Sequence, residues 1–520
     1  MNEGLIMPET GISFKDYLLK NKRNRMILLL AGIAIIIQFS IFKYFYPFAS
    51  FLYGDSFAYL KTAYFNLDIN NYMVGYARFL RFFSVFTTSD TALVAFTYLL
   101  IQVSGLFLLF TIYYFYRPSL TIQIILLCFF IFSPLSLHLS NFITSDGFFL
   151  ALSLLWFSLL LWLVYQPSRL VIIVHAAVLF IAFTVRYNAL IYPFISASIF
   201  VLSKLSVKEK ILGFGAAILL CLSFVFYTSY KYKQLTGYWQ YSPFSGWQLA
   251  NNAMYTYRYV DSSEREPVLR KYQVVDKMIR EYFDSTRDVV RFPHEAEKAS
   301  TFYMWTPGLP LWNYRDSLFK NDTSKSDYYK WASVGPLFKE YGSYIIQKYP
   351  WHFAKFFLWP NAQRYYAPPI EFLESYNTGR DSAAKLARVW FRYKTPKIYT
   401  RFNDNRNWSL NFYPIFSGLI NVVIVCCFIC YLLLQGWKTK GKFRNGVLIA
   451  AALWISNAGF TILASPASLR FQSFPLTITT TFVFLLMEWL WFAAFKGKEM
   501  EDQLIGQGNN EQNISSELLI

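Results

Sequence analysis

Asp55 lies in "FLYGDSFAYLKTAYFNLDIN" (51–70), on a Gly-Asp-Ser turn just after the first long apolar run of the chain. A carboxylate held there, at the edge of a membrane, can take a proton from a hydroxyl when its pKa suits the task. Other polar side chains interrupt the later apolar runs in the same way. His138 and Asn141 close one run and Asp146 opens the next; Arg186 and Asn188 divide two more, and Arg470 opens the last. Ionisable groups beside hydrocarbon are costly, so each marks a candidate site. Arginine presents a planar fork that binds phosphate bidentately. A carboxylate base and two such forks suit transfer to a hydroxyl from a donor whose leaving group is a lipid phosphate. The protein then has to position both partners and stabilise the charge building on the phosphate.

Each residue also has a plainer reading. Asp55 and Asp146 could cap the helices that follow them, and Arg186 and Arg470 could reach up to lipid head groups. His138 and His175 read first as satisfied structural histidines, and Glu488 as a paired or interfacial acid. No His/Cys/Asp/Glu cluster has zinc spacing, and no P-loop, dinucleotide fingerprint or Gly-x-Ser-x-Gly elbow occurs. The expectation is therefore no certain cofactor; a divalent metal stays open without a ligand cluster to support it.

The elements that must position these residues follow from composition. Of 520 residues 55% are hydrophobic and only 15% charged, and several uncharged runs reach about 18–22 residues, the length that crosses a bilayer. Spans are predicted at 26–46, 91–116, 119–137, 146–165, 170–186, 188–203, 211–230, 412–435, 446–464 and 471–495. The fifth and sixth are parted only by "VRYNA". With both ends cytosolic, the basic connections "KNKRNR", "YRPS", "QPSR", "SKLSVKEK", "QGWKTKGKFRNG" and "FKGKEM" all fall on the cytosolic side. The expected organisation is a cytosolic segment 1–25 and a membrane module 26–230 with its first loop at 47–90. A mostly helical exoplasmic domain 231–411, spans over 412–495 and a disordered cytosolic tail 496–520 complete it. No cleavable leader is expected. The five cysteines all sit in spans and read as small buried hydrophobes. Residues 231–411 carry about ten more basic than acidic residues, a charge suited to anionic head groups. Nucleic acid is a poor partner for a face turned away from the cytosol.

The order of these features resembles the GT-C fold glycosyltransferases, membrane enzymes that use polyprenyl-phosphate sugars. "GDSFAYLKTAYF" followed by "VGYARFLRFFSVF" is similar to the family's first-loop Asp, interfacial helix and "R-P-x-G-Y-P-x-F-L" segment. Gly75-Tyr76 and Phe79-Leu80 remain, while the preceding Arg-Pro is absent. "LSNFITSDGFFLALSLLWFSLL" resembles the stretch where Ser/Thr-Asp opens the fourth span, and "FTVRYNALIYPFI" the "R-x-N-x-L-x-x-P" segment. "WQYSPFSGWQLANNAMY" and "SPASLRFQSFPL" resemble later boundary elements. The likeness covers 26–250 well and the remainder loosely.

The resemblance implies an all-α polytopic fold with Asp55 as catalytic base. It implies Arg186 and Arg470 as phosphate or head-group contacts and Asp146 and Asn188 as supporting or substrate residues. His138 is a further donor-phosphate or substrate candidate, and Tyr59, Asp68, Tyr76 and Arg78 are acceptor or interface candidates. The family's acidic pair is absent, because Ser56 follows Asp55; this favours a metal-independent enzyme using a lipid monophosphate sugar. Implied partners are that donor, a glycan, lipid or protein acceptor, and the bilayer of a bacterial inner membrane. Two other classes share many spans. An O-antigen polymerase or ligase would not need Asp55. A lipid-linked-saccharide transporter or flippase would favour repeated halves with polar residues near the midplane.

Overall fold

In a computed structural model the protein is described over residues 12–322, 324–402, 404–439 and 441–517, with side chains as far as 495. Residues 1–11, the first part of the predicted cytosolic segment 1–25, lie outside the described residues. Among the described residues the chain is helical, without a β-strand and with only isolated bridges such as Ser50 to Phe142. The principal helices are α1 (Lys22–Phe45), α2 (Asp55–Tyr64), α3 (Gly75–Ser84), α4 (Asp90–Tyr116), α5 (Leu120–Ile131), α6 (Pro134–Asn141) and α7 (Ser145–Tyr165). They continue as α8 (Arg169–Val185), α9 (Tyr192–Leu202), α10 (Val207–Thr236), α11 (Pro243–Tyr257), α12 (Gly335–Lys348), α13 (Tyr413–Leu433), α14 (Lys442–Ala464) and α15 (Leu469–Glu517).

Eight described segments are long and apolar enough to cross a membrane: α1, α4, the pair α5–α6, α7, α10, α13, α14 and the first half of α15. The chain is a helical membrane protein. The other two predicted spans form shorter helices, Arg169–Val185 and Tyr187–Leu202. At 17 residues α8 rises only about 26 Å, short of a hydrocarbon core of about 30 Å. It stops because Arg186 turns extended, and a 3₁₀ turn over Tyr187–Ile191 follows.

The spans are not equivalent. The most apolar stretch of α7 is 89% buried, against 17% for α1. Asp146, in the first turn of α7, is thereby carried into the middle of the bundle. Cys221 and Cys427 are buried as expected, whereas Cys128, Cys426 and Cys430 lie on exposed span faces. Glu488 is paired: its carboxylate accepts from the Ser119 backbone N–H at 2.7 Å.

The stretch 231–411 divides between two cores. Tyr232 to Phe357 contribute to a separate core built on Trp247, Tyr303, Trp331, Phe338 and Tyr341. Leu373, Tyr376, Phe391 and Ile398 instead join the core of the membrane helices. Hence only the first part is a covering domain; the second folds back onto the first loop. Residues 496–517, expected as a disordered tail, continue α15; their Lys, Glu, Met and Gln are good helix formers.

The covering domain is organised by the crossing of α11 and α12, which approach so closely that Gly246 lies against the Gly335 carbonyl. A Cβ at Gly246 would overlap that oxygen, and backbone cannot move aside cheaply. Gly246→Ala is expected to destabilise the protein by about 1–3 kcal/mol. Gly215→Ala, in α10 with nothing near its Cβ position, should be neutral or mildly stabilising. Thermal unfolding in detergent checks the pair; equal melting temperatures for the two variants would contradict the close crossing.

Candidate active site

Asp55 is the first residue of α2, and the helix is capped ahead of it by Gly54, whose φ of 94° suits glycine. Its side chain is therefore free of capping work and points to a partner far away in sequence. Arg470 Nη1 donates to Asp55 Oδ2 at 2.7 Å and lies 3.5 Å from Asp146 Oδ2. Arg186 pairs with the other oxygen of Asp146 and donates to Ser145 Oγ at 3.2 Å. Thr144 Oγ1 donates to Asp146 at 2.8 Å, and Tyr72 donates to Asp55 Oδ1 at 2.7 Å. Two acids and two arginines thus alternate along one chain of contacts, each carboxylate facing a guanidinium.

Aromatic rings complete the setting. The Phe471 ring lies 4.4 Å from the Arg470 guanidinium carbon and 4.8 Å from that of Arg186, and Phe372 lies 5.2 Å from Arg470. Ring faces attract guanidinium groups and help offset lost hydration. Phe372 is held at φ 69°, a conformation costly for a bulky residue and typical of constrained sites. Burial, and next the charge of Asp55, push the Tyr72 hydroxyl well above its ordinary value, so it remains a donor to Asp55 at any physiological pH.

These groups face a cavity of about 1410 Å³ bounded by α2, the 185–190 turn, α11, residues 297–306 and the start of α15. Asp55, Tyr59, Arg186, Asn188 and Arg470 line it. Asp146 is 3% exposed and acts behind the wall, through the arginines. The remaining expected residues stand elsewhere. His138 bonds Ser409 Oγ at 3.0 Å and packs edge-on against Phe42 and Tyr46, a structural role. Asp68 pairs with Arg78 at 2.9 Å and Lys231 at 3.0 Å on the surface. Tyr76 is buried beneath the ring of Tyr59.

Several site residues were not legible. Tyr72 and Glu371 line the cavity, and burial raises the Glu371 carboxyl above its ordinary value even though Arg364 pairs with it. More hidden are two asparagines that hold the ion network from outside. Asn361 donates to the carbonyls of Thr461, Ile462 and Ser465 and accepts from Ala467 N–H at 2.8 Å. Just beyond, Leu469 N–H donates to the Pro369 carbonyl at 2.8 Å. Asn377, at φ 49°, accepts from Phe51 N–H at 3.1 Å and donates its own N–H to Ser50 Oγ at 2.7 Å. One stretch, 359–380, therefore grips both the loop ahead of Arg470 and the loop ahead of Asp55. Nothing local in "WPNAQRYYAPP" or "ESYNTGR" signals that grip, because the partners are backbone groups remote in sequence.

Among the described residues, no three His, Cys, Asp or Glu side chains gather as a metal-ligand group. The chain matches no protein-family model, no curated protein and no solved structure.

Asn377→Ala leaves the Phe51 N–H unpaired and puts a Cβ-bearing residue without a stabilising amide in the left-handed region. The expected loss is about 2–4 kcal/mol. Asn377→Gly relieves the backbone and loses less. Melting temperatures should fall in the order wild type, Gly, Ala; an Ala variant as stable as wild type would show the clamp to be idle.

Proposed function

We propose that the chain is an integral-membrane glycosyltransferase. It moves a sugar from a polyprenyl-phosphate donor to an acceptor on the exoplasmic side, and Asp55 is the general base. In this reading α8 and Tyr187–Leu202 complete ten membrane segments, both ends are cytosolic, and the cavity opens beneath the covering domain at the exoplasmic face. A bacterial inner membrane fits that arrangement.

One observation carries the proposal: Arg470, 7% exposed, masks Asp55 at the cavity wall while its own buried Nε–H has no partner. A buried donor left unpaired is uncommon and marks a place where an acceptor belongs. The phosphate oxygens of a lipid monophosphate supply acceptors, and a guanidinium that turns to them releases Asp55. Arg186, held at the cavity by Asp146 and Ser145, adds a second positive group for the same phosphate.

The chemistry then balances with the residues present. The acceptor hydroxyl oxygen attacks the anomeric carbon and forms the new glycosidic bond. The bond from that carbon to the phosphate oxygen breaks, and its electron pair leaves on the phosphate. The hydroxyl proton passes to Asp55. Preorganised arginines stabilise the departing charge in a partly enclosed site, the usual largest contribution to such a step. Tyr72, protonated, keeps the carboxylate oriented by its hydrogen bond to Oδ1.

The test uses the full chain in nanodiscs with short-chain polyprenyl-phosphate sugars, following release of the lipid phosphate. Asp55→Asn should lower the rate by about 10²–10⁴-fold, the usual worth of a positioned base, with donor binding retained. Arg470→Ala should weaken donor binding as well as turnover. Undiminished release in Asp55→Asn overturns the assigned base, and absence of release by folded wild type across a panel of sugars overturns the transferase.

A further inference from the structure

Beside Asp55 the cavity carries a feature that the donor phosphate does not use. Tyr72, Phe244 and Trp305 all line it, and their ring centroids are mutually separated by 6.0–6.2 Å at tilts of 47–50°. Three tilted rings at that spacing form a shallow cup. Tyr187 stacks on Phe244 at 5.8 Å and 19°, and Ser242 donates to the Tyr187 hydroxyl at 2.8 Å, fixing that ring. The cup is built and supported before any ligand arrives.

A second, independent observation lies one helical turn along α11 from Phe244. Gln248 lines the same cavity and is 5% exposed. Its amide nitrogen is used, donating to Asn252 Oδ1 at 2.8 Å, while its Oε1 accepts from no group. Asn252 in turn donates to the carbonyls of Leu463 and Ala464, and Asn251 donates to Ser300 O and accepts from Met304 N–H. That framework holds Gln248 with its amide nitrogen turned to Asn252. A buried acceptor so held calls for an O–H or N–H donor from something in the cavity.

We propose that this cup, with Gln248 Oε1 as its polar contact, is an acceptor subsite for a carbohydrate ring. The inference deepens the glycosyltransferase reading and rests on it for the word acceptor. A sugar has an apolar C–H face that stacks on aromatic rings and a rim of hydroxyls that donate hydrogen bonds. An isoprenoid chain would suit the rings but has nothing for Gln248. Tyr72 belongs to the cup and also donates to Asp55, so a ring resting there presents its hydroxyls next to the base. The acceptor is accordingly a glycan, ahead of a protein side chain or a simple lipid alcohol.

Saturation-transfer NMR on the full chain in nanodiscs tests this without any turnover. The probes are methyl glycosides of glucose, mannose, galactose, rhamnose and N-acetylglucosamine. At least one should receive saturation on the protons of one ring face. Trp305→Ala should cut that signal at least five-fold, and Trp305→Phe should keep most of it. Gln248→Met, close in shape but without the oxygen, should weaken binding about ten-fold. Farnesyl phosphate should leave the sugar signal in place. No transfer to any glycoside, transfer indifferent to Trp305→Ala in folded protein, or displacement by farnesyl phosphate each overturns the subsite. Sugar contact without release of lipid phosphate would count against the transferase alone, and release without sugar contact against the subsite alone.

Discussion

The cavity depends on one constraint, that four charges are held largely away from water and must satisfy one another. Asp55, Arg470, Asp146 and Arg186 alternate in sign, so the network as a whole is neutral. Each ion still loses several kcal/mol of hydration on burial, which only close pairing and additional hydrogen bonds can offset. Tyr72, Thr144 and Ser145 supply those bonds. The first loop, the start of α7, the end of α8 and the start of α15 must therefore meet at one place. Asp146 is the inner anchor, and Asp55, Arg470 and Arg186 are the members that face the cavity.

That dependence explains the division of labour in the long stretch between α10 and α13. Its first part, with a core of its own, roofs the cavity and contributes α11 and residues 300–306 to the wall. Its second part is bolted to the membrane helices. Asn361 and Pro369 hold the approach to Arg470, Asn377 holds the approach to Asp55, and Tyr393 donates to Asp90 at 2.7 Å to secure the same first loop. Because Arg470 and Asp55 are 415 residues apart in sequence, no local element could set their separation. A rigid bridge between their loops does so.

Much of the site was readable in advance because burial of polar groups near hydrocarbon is rare and leaves a mark. Asp55, Arg186, Asn188 and Arg470 stood out as polar residues at the ends of apolar runs, and all four line the cavity. The same criterion misplaced His138, which is buried at the end of an apolar helix yet spends its hydrogen bond on Ser409. It also missed Tyr72, Gln248, Asn361 and Asn377. These lie in stretches where a polar or aromatic residue is unremarkable, and their importance comes from what faces them.

The sequence by itself determined the helical membrane class, most of the crossing segments, and the charged residues at their ends. Hydrophobic runs and their breakers are local properties, and a bilayer reads them directly. Only the tertiary structure decided that Asp55 and Asp146 are ion-paired where capping was the plainer reading. It also decided that two of the predicted spans are short, and that the stretch 231–411 serves two cores. The pairs that Arg470 makes with Asp55 and Asp146 join groups 415 and 324 residues apart. Periodicity and composition say nothing about which buried charge meets which, since that is settled by packing.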